Sequence, residues 1–387
     1  MQDVVILGST GSVGMQAVDV IKHDPGLKAV GLAAGRNWRK ALEQARSLGA
    51  TKVALWDVQA AAEAERSKGY LGLENLEVLS GQEGVERLAA LSSAHTVLHA
   101  VPGFLGVKLL LRSLEGGKRV ALAGKEALVC AGELVRDYVQ KGNLILPVDS
   151  EHSAIFQCIQ GESLNEVDYI TLTASGGAFR DLSKDELSRV VPSQALAHPT
   201  WRMGPKVTVD SATLFNKALE VMEAHCLFGL PYDKIRVVIH RESIVHSMVT
   251  FKDGSTKAQL APPDMRLPIA YALNYPKRKP GVFGNTGFFT GTLAFEQPDL
   301  ERFPCLGLGY EAGRMGGTAP CVLSVADEIV VEAFLSGEVK FTEIYTILKA
   351  VLDSCLPKPV TSVDVLEQEA RWAAWETRRL INTLTRR

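Results

Sequence analysis

Short apolar runs alternate with helical patterns over the first 150 residues. The runs are DVVILG (3–8), LKAVGLAAG (27–35), KVALW (52–56), TVLHAV (96–101), RVALA (119–123) and NLILPV (143–148). Continuous apolar runs of this length are typical of strands that are buried on both faces. Helices between such strands carry the chain back across the sheet, so the pattern predicts an α/β domain built on a parallel sheet.

The pattern changes after residue 150. Longer strands are predicted over 167–177 and, as a hairpin, over 235–260, with one helix, DSATLFNKALEVMEAHCLF (210–228), between them. The segment 274–304 is rich in Pro and Gly, and the chain beyond it is mostly helical. We therefore predict an α+β domain and a helical bundle behind the α/β domain, and we divide the chain at 1–149, 150–273, 274–304 and 305–387.

Composition excludes several classes of protein. The 387 residues carry a formal net charge of -2, so no broad basic field favours nucleic acid. The six cysteines lie apart without a C-x-x-C pair, which indicates reduced thiols rather than a disulfide framework. No apolar run reaches the length of a membrane span, and the first strand begins almost at residue 1, without a leader. We expect a cytoplasmic protein, or a plastid one only if a transit peptide has been removed.

A glycine-rich turn follows the first strand. Gly8, Gly11 and Gly14 form G-x-x-G-x-x-G and precede a helical pattern, which is the context of a dinucleotide fingerprint. The alternative is a tight turn without a ligand. The second strand ends in Gly35, Arg36 and Asn37, and a guanidinium with no nearby carboxylate suits the 2′-phosphate of NADP. Arg36 could instead be a solvated surface residue.

Two carboxylates follow the sixth apolar run. Asp149 and Glu151 lie in PVDSEHSAIFQ (147–157), and alternation along a strand would place both on one side. The carboxyl edge of a parallel sheet is where ligands of open α/β folds bind, and paired oxygen ligands suit Mg²⁺ or Mn²⁺. The alternative is two solvated loop acids.

The predicted helix at 210–228 has an unusual polar face. Asp210 and Ser211 are N-cap residue types, and Asn216, Lys217 and Glu220 follow at spacings that share one face. An amide, an ammonium and a carboxylate together suit a bound phosphate, with Glu220 as a third metal ligand. The alternative is an exposed face with an ordinary Lys–Glu pair.

Two loops complete the candidate chemistry. TASGGAF (173–179) presents Ser175 and backbone N–H groups to an anion, or is a plain turn. HPTWRMGPK (198–206) places His198 and Trp201 in a loop that resembles a lid able to exclude water. Trp201 could equally fill a small satellite core, and a lone histidine is more often neither a ligand nor an acid.

These residues, in this order, resemble the 1-deoxy-D-xylulose 5-phosphate reductoisomerase family. The resemblance covers nearly the whole chain and runs through ILGSTGSVG, LAGKEALV, PVDSEHSAIFQ, TASGGAFR, AHPTWRMGPKVTVDSATLFNKALEVMEAH, IHRESIVHSM and APPDMRLPIA. Several long motifs in the correct order make it specific.

The resemblance implies an oxidoreductase of non-mevalonate isoprenoid biosynthesis. Such an enzyme isomerises and reduces 1-deoxy-D-xylulose 5-phosphate to 2-C-methyl-D-erythritol 4-phosphate with NADPH and Mg²⁺, Mn²⁺ or Co²⁺. It implies a homodimer whose chain has a Rossmann-like NADPH-binding domain, a catalytic and dimerisation domain, a connective region and a C-terminal helical domain. It implies retro-aldol and aldol steps followed by hydride transfer.

The resemblance also assigns residues to roles. The metal ligands would be Asp149, Glu151 and Glu220. The catalytic residues would be Lys125, Glu151 and His198. Contacts to substrate would come from Lys125, Ser150, Glu151, Ser175, His198, Trp201, Met203, Ser211, Asn216, Lys217 and Glu220, with His246 near the site. Contacts to cofactor would come from Gly8, Thr10, Gly11, Ser12, Val13, Gly35, Arg36, Asn37, Gly124, Lys125, Glu126 and Gly204.

Three positions depart from the family pattern. Gly124, Thr200 and Ala178 replace the usual Asn, Asn and Pro of the family motifs. Gly124 bears on a cofactor contact, and Thr200 bears on closure of the lid segment 198–206. Ala178 bears on the loop 173–179, which we call the phosphate loop. A simple NADP-dependent dehydrogenase of the semialdehyde or homoserine type is the alternative enzyme, and a non-catalytic sensor of NADP or sugar phosphates is the alternative outside catalysis.

Overall fold

The structure is a computed structural model that describes residues 1–201, 203–280 and 291–384. Residues 281–290 of the predicted connective region and 385–387 of the predicted helical domain lie outside the described residues. The chain packs into two compact units whose segments interleave along the sequence. The first comprises Met1–Gly124, Val135–Ser153 and residues 264–280. The second comprises Lys125–Leu134, Ala154–Pro263 and residues 291–384.

The described strands form two sheets. The strands of the first unit are β1 Gln2–Leu7, β2 Leu27–Ala34, β3 Lys52–Leu55, β4 Glu77–Ser80, β5 Thr96–His99, β6 Arg119–Leu122 and β7 Ile145–Pro147. Those of the second unit are β8 Val167–Ala174, β9 Ile235–Ile239, β10 Val245–Phe251 and β11 Thr256–Leu260.

The described helices account for most of the remaining chain. In order they are α1 Ser12–His23, α2 Trp38–Leu48, α3 Val58–Ser67, α4 Gly81–Ala89, α5 Gly106–Glu115, α6 Lys125–Gln140, α7 Ser150–Cys158, α8 Lys184–Leu187, α9 Pro192–Ala195, α10 Pro205–Thr213, α11 Phe215–Phe228, α12 Arg266–Asn274, α13 Cys305–Met315, α14 Ala319–Leu335, α15 Phe341–Ser354 and α16 Val363–Leu384. Short 3-10 turns occur at Lys68–Leu71, Leu164–Glu166 and Tyr232–Lys234.

The first sheet is parallel throughout, in the order β4-β3-β2-β1-β5-β6-β7. Its central strands are almost completely buried, as the apolar runs predicted, because helices cover both faces. The predicted Rossmann-like α/β class is therefore confirmed. The strand β4 was not predicted, because EVLS at the edge of the sheet is short and has only two apolar residues, Val78 and Leu79.

The second sheet has the order β11-β10-β8-β9, with β8 and β9 parallel and β10 antiparallel to both of its neighbours. The predicted hairpin is β10–β11. The helix α11 packs against α13, and a Cβ on Gly309 of α13 would lie 2.5 Å from the carbonyl oxygen of Ala218. This close crossing holds α11 firmly against the C-terminal helices.

All six cysteines are free thiols. Among the described residues, no helix combines the length and the apolar character that crossing a membrane requires.

Candidate active site

The glycine-rich turn of the first unit is built around close main-chain contacts. Gly8 has φ +85°, and a Cβ on it would lie 2.3 Å from the carbonyl oxygen of Ala100. A Cβ on Gly14 would lie 2.1 Å from the carbonyl oxygen of Gly8. Gly11 is the N-cap of α1, so the unpaired N–H groups of that helix face the turn. Thr10, Ser12 and Val13 line it and are partly exposed.

The end of β2 carries an ion pair that the sequence did not predict. Arg36, 88% exposed, donates from Nε to Asp57 Oδ2 at 3.0 Å, so the premise that no carboxylate lies nearby is wrong. Asp57 follows the neighbouring strand β3, which explains why a separation of 21 residues hid the contact. The Ala60 amide, which Asp57 also caps, and the Arg36 guanidinium lower the pKa of Asp57. The Asn37 side chain caps α2.

Asp149 and Glu151 do not lie on a strand, as the alternation argument assumed. The strand β7 ends at Pro147, and α7 begins at Ser150. The carbonyl oxygen of Asp149 accepts a hydrogen bond from the Ser153 amide at 2.8 Å, so Asp149 stands at the N-cap and Glu151 in the first turn. Ser150 Oγ donates to Glu151 Oε2 at 2.5 Å. Both carboxylates remain at the carboxyl edge of the first sheet, which is where the prediction required them.

The predicted helix 210–228 is two helices. Leu214 adopts a left-handed conformation with φ 60°, ending α10 and starting α11. Asp210 and Ser211 are consequently not N-cap residues but lie inside α10, whose N-cap is Gly204. A non-glycine residue at positive φ leaves no mark in the sequence, which explains the error.

The polar face predicted for this region is present on α11. Lys125 Nζ donates to Asn216 Oδ1 at 2.9 Å and to Glu220 Oε1 at 3.2 Å. The Asn216 amide and the Lys217 ammonium also donate to the Glu220 carboxylate. Lys125, Lys217 and Glu220 are buried, at 7%, 3% and 0% exposure. The alternative of an exposed face with a solvated pair is therefore wrong.

The phosphate loop after β8 contacts His198. Ser175 Oγ lies 2.9 Å from His198 Nε2, and the Gly177 amide donates to the same hydroxyl at 3.3 Å. His198 Nδ1 accepts from the amides of Thr200 and Trp201, so Nε2 carries the proton toward Ser175. Burial, with a contribution from Arg180, lowers the pKa of His198 to about 4. The imidazole is neutral at pH 7.

The candidate phosphate-binding groups converge at the carboxyl end of β8. Lys217 Nζ donates to the carbonyl oxygen of Thr173 at 2.6 Å. A Cβ on Gly177 would lie 2.4 Å from the carbonyl oxygen of Ser211, so the loop touches α10 where Ser211 is placed. Hydroxyl, amide and ammonium donors thus meet within one small region of the second unit.

The lid segment is folded onto this region. Its main-chain amides bond to His198, and the Trp201 ring lies 5.9 Å from the buried His246 ring. Met203 is partly buried. Because Thr200 uses its main-chain amide, its replacement of the family Asn preserves this bond.

Gly124, another departure, is tightly placed. A Cβ on Gly124, the N-cap of α6, would lie 2.5 Å from the carbonyl oxygen of Val101. An Asn at this position would require the main chain to shift. Ala178, the third departure, is partly buried in the loop 173–179.

Sequence reasoning missed two contributors to the site. Arg180 Nη1 donates to the carbonyl oxygen of Ser175 at 2.8 Å, and the Thr173 carbonyl accepts from Lys217. Arg180 ends the quoted motif TASGGAFR and could have been found there. A main-chain acceptor such as Thr173 carries no side-chain signal.

Comparisons with known proteins indicate the same family along nearly the whole chain. Three family models match: 1-deoxy-D-xylulose 5-phosphate reductoisomerase over residues 4–132, its C-terminal domain over 145–228, and the DXP reductoisomerase C-terminal domain over 260–375. A 1-deoxy-D-xylulose 5-phosphate reductoisomerase of Pelotomaculum thermopropionicum is 46% identical over 383 residues, covering 96% of this chain and 97% of the relative. The enzyme of Chlorobaculum tepidum is also 46% identical and covers 98% of this chain and 100% of its own.

Solved structures agree as well. A DOX-P reductoisomerase in complex with NADPH, fosmidomycin and magnesium superposes with a TM-score of 0.93 at 37% identity, covering 99% of both chains. The Zymomonas mobilis enzyme in complex with NADPH gives a TM-score of 0.89 at 36% identity, covering 98% of this chain and 99% of its own. This chain belongs to the 1-deoxy-D-xylulose 5-phosphate reductoisomerase family.

Proposed function

We infer that this protein is an NADPH- and divalent-metal-dependent oxidoreductase that converts 1-deoxy-D-xylulose 5-phosphate to 2-C-methyl-D-erythritol 4-phosphate. The observation that carries this inference is the buried face of Lys125, Asn216, Lys217 and Glu220 in a chain of this family. Hydride transfer by a simple dehydrogenase does not require such a group of side chains, so that alternative is not favoured.

The glycine turn fits the pyrophosphate of NADPH. Side chains at Gly8 and Gly14 would fill the turn, and α1 directs its N-terminal amides there. We propose that Gly8, Gly11 and the residues around them hold the phosphates, with Gly35, Arg36 and Asn37 at the 2′-phosphate and Gly124, Lys125, Glu126 and Gly204 along the rest of the cofactor. The exposed guanidinium of Arg36 supports this assignment. NADPH, when bound, supplies the hydride.

Asp149, Glu151 and Glu220 have the chemistry of a magnesium or manganese site. All three offer carboxylate oxygens, the donors that these hard cations prefer. We propose them as the metal ligands. The metal, when bound, polarises a carbonyl and stabilises the charge that develops on its oxygen.

The chain's own residues bind, orient and shield the substrate in this proposal. Ser175, Ser211, Asn216, Lys217 and His198 donate to the phosphate, which supplies binding energy away from the reacting carbons. The neutral His198 uses its Nε2 proton, and its pKa of about 4 keeps that donor present at neutral pH. The lid residues Trp201 and Met203 exclude water from the reactive fragments.

Lys125, Ser150 and Glu151 are the groups we propose at the substrate's carbonyl and hydroxyl oxygens. The Lys125 ammonium is held by Asn216 and Glu220, so it is oriented before the reaction begins. Glu151, bonded by Ser150, is placed to accept or return a hydroxyl proton.

We propose that the protein is a homodimer in the bacterial cytoplasm. We also propose that each chain is divided into the four regions given by the sequence analysis. The exposed edge strand β11, four of whose five residues are exposed, supports pairing with a second copy. Analytical ultracentrifugation tests this: sedimentation as a monomer of 41.9 kDa at micromolar concentration contradicts it.

One assay tests the activity. NADPH oxidation, followed at 340 nm, is expected only when 1-deoxy-D-xylulose 5-phosphate and Mg²⁺ are both present. EDTA is expected to stop the reaction and added Mn²⁺ to restore it. Oxidation that persists in EDTA, or that proceeds equally with a semialdehyde, favours the simple dehydrogenase.

A further inference from the structure

A buried cluster of charges lies in the second unit. Apart from Glu126, which is proposed to contact the cofactor, its members have no role in the proposed site. Lys206 Nζ lies 2.7 Å from Asp210 Oδ2, 2.7 Å from Asp327 Oδ2 and 3.6 Å from Glu126 Oε1. Asp327 and Asp210 are 0% and 1% exposed, Glu126 is 4% exposed, and the ammonium nitrogen of Lys206 is inaccessible to solvent. Three carboxyl groups therefore share one ammonium.

Burial and mutual interaction shift the pKa values of this cluster. Burial, followed by repulsion from Asp327, raises the pKa of Asp210 well above its usual range. Burial also raises the pKa of Asp327, to about 6, although Lys206 opposes this. Burial lowers the pKa of Lys206, but its carboxylate neighbours more than compensate, so the ammonium stays charged. Above about pH 6, Lys206 is held by ionised Asp327.

The cluster joins three helices at one point. Lys206 and Asp210 lie on α10, which begins directly after the lid segment. Glu126 lies in the first turn of α6, next to Lys125. Asp327 lies on α14, and Glu328 of α14 and Cys305 of α13 are the other titratable groups that interact with it or its partners.

Two of the three joined helices, α6 and α10, carry a proposed site residue next to the cluster. Lys125 precedes Glu126 and donates to Asn216 and Glu220, and Ser211 follows Asp210 on α10 and lies against the phosphate loop. A buried ionic cluster stabilises a core less than apolar packing does, because the free-energy cost of desolvating the charges opposes their Coulombic attraction. Its directional contacts can, however, orient the neighbouring turns more specifically than apolar packing can.

We propose that Lys206 and Asp327 are positioning residues that fix the first turn of α6 and the helix α10, and thereby Lys125 and the Ser211 side of the phosphate site. This rests on the proposed function, since it concerns the residues that the proposed reaction uses. Neither residue touches the substrate in this scheme.

Asp327→Asn tests the proposal. The amide has the size of the carboxyl group and keeps one acceptor oxygen, but it is uncharged, as the protonated Asp327 side chain is. We expect kcat to fall about tenfold, the KM for 1-deoxy-D-xylulose 5-phosphate to rise several-fold, and the Kd for NADPH to stay within about twofold. The melting temperature at pH 8 is expected to stay within a few degrees, because ionising Asp327 in the folded state opposes stability there.

The pH profile separates positioning from simple stability. In the wild type, kcat is expected to fall as pH drops through about 6, when Asp327 takes up a proton and loosens Lys206. In Asp327→Asn that fall is expected to flatten. The control is Glu369→Gln, which removes a buried carboxylate that bonds Lys358 at 2.7 Å in the same unit and is expected to leave kcat and its pH profile unchanged.

Wild-type kcat and an unchanged pH profile in Asp327→Asn would overturn the proposal. So would a fall in kcat that matches a lower folded fraction, measured by stoichiometric NADPH binding. If Asp327→Asn does not fold, Lys206→Arg tests the proposal instead, because it keeps the positive charge and alters only the length and shape of the side chain that carries it. A folded Lys206→Arg enzyme with wild-type kcat rejects the proposal, whereas a fivefold or greater fall with unchanged NADPH affinity supports it.

These outcomes are distinct from failure of the proposed function. If the wild type does not turn over 1-deoxy-D-xylulose 5-phosphate at all, the proposed function has failed before the variants are compared. If the wild type is active and the variants match it, only the positioning proposal has failed.

Discussion

At the scale of single residues, Glu220 is the centre of a group of buried charges. Lys125 and Lys217 both donate to the Glu220 carboxylate, and all three are almost fully buried. Charge interactions are strong in such a region of low dielectric constant. A change in the charge of Glu220 is therefore expected to affect both ammoniums.

Glu220→Gln removes the negative charge of this group while keeping its shape. We expect kcat to fall by about 100-fold or more, because a proposed metal ligand is lost and two ammoniums lose their shared partner. The Kd for NADPH, measured by fluorescence quenching, is expected to stay within about twofold. Glu338→Gln, a solvent-facing carboxylate on the same unit, serves as the control. Near-normal turnover in Glu220→Gln would show that the metal assignment is wrong.

The pKa of His198 predicts how stability depends on pH. Its folded-state pKa of about 4 lies below the ordinary value of 6.5, so between these pH values the unfolded chain binds more protons. Stability from the neutral, buried imidazole is fully present above pH 6.5 and is lost as pH falls toward 4. We therefore expect the difference in melting temperature between the wild type and His198→Gln to shrink from pH 7.5 to pH 5.

The control for this measurement is His23→Gln, whose imidazole is 53% exposed. The difference in melting temperature between the wild type and this variant is expected to be small at both pH values. A wild-type advantage over His198→Gln that is equal at pH 7.5 and pH 5 would mean that His198 titrates like an exposed imidazole.

At the scale of elements, regular patterns were predictable from the sequence and interruptions were not. The buried strands of the first sheet follow from apolar runs, and the α11 face follows from residue spacing. The break at Leu214 and the early start of α7 at Ser150 do not, because tertiary contacts decide where those helices begin and end. Arg36–Asp57 was missed for a related reason: neighbouring strands bring together residues that are distant in sequence.

The turn between β6 and α6 tests how tightly the elements fit. Gly124 has φ -83°, which any residue can adopt, so Gly124→Ala probes only the 2.5 Å approach to the Val101 carbonyl. We expect a loss of about 1–3 kcal/mol in unfolding free energy and weaker NADPH binding, because the turn must open to admit a methyl group. Chemical denaturation with urea measures the first, and fluorescence titration the second.

Gly69→Ala is the matched control, since no atom lies within 4 Å of the Cβ it would add. Its effect on unfolding is expected to be below about 0.5 kcal/mol. A loss in Gly124→Ala no greater than in Gly69→Ala would show that the turn has room for a side chain at this position.

At the scale of the whole molecule, the proposed metal would bind segments that are distant along the chain. Asp149 and Glu151 lie at the start of α7, and Glu220 lies on α11. A ligand that binds only the folded state stabilises it by about 2.7 kcal/mol at 100 times its Kd. Mn²⁺ is therefore expected to raise the melting temperature of the wild type by a few degrees.

The same titration on Glu220→Gln separates a metal bound by all three carboxylates from one bound by Asp149 and Glu151 alone. If all three carboxylates bind one ion, removing Glu220 is expected to reduce the Mn²⁺-induced shift to less than about a degree, since a site with two carboxylates binds far more weakly. Glu338→Gln is expected to keep the full shift. If Glu220→Gln also keeps the full shift, the ion is bound without Glu220, and the assignment of Glu220 as a metal ligand is wrong.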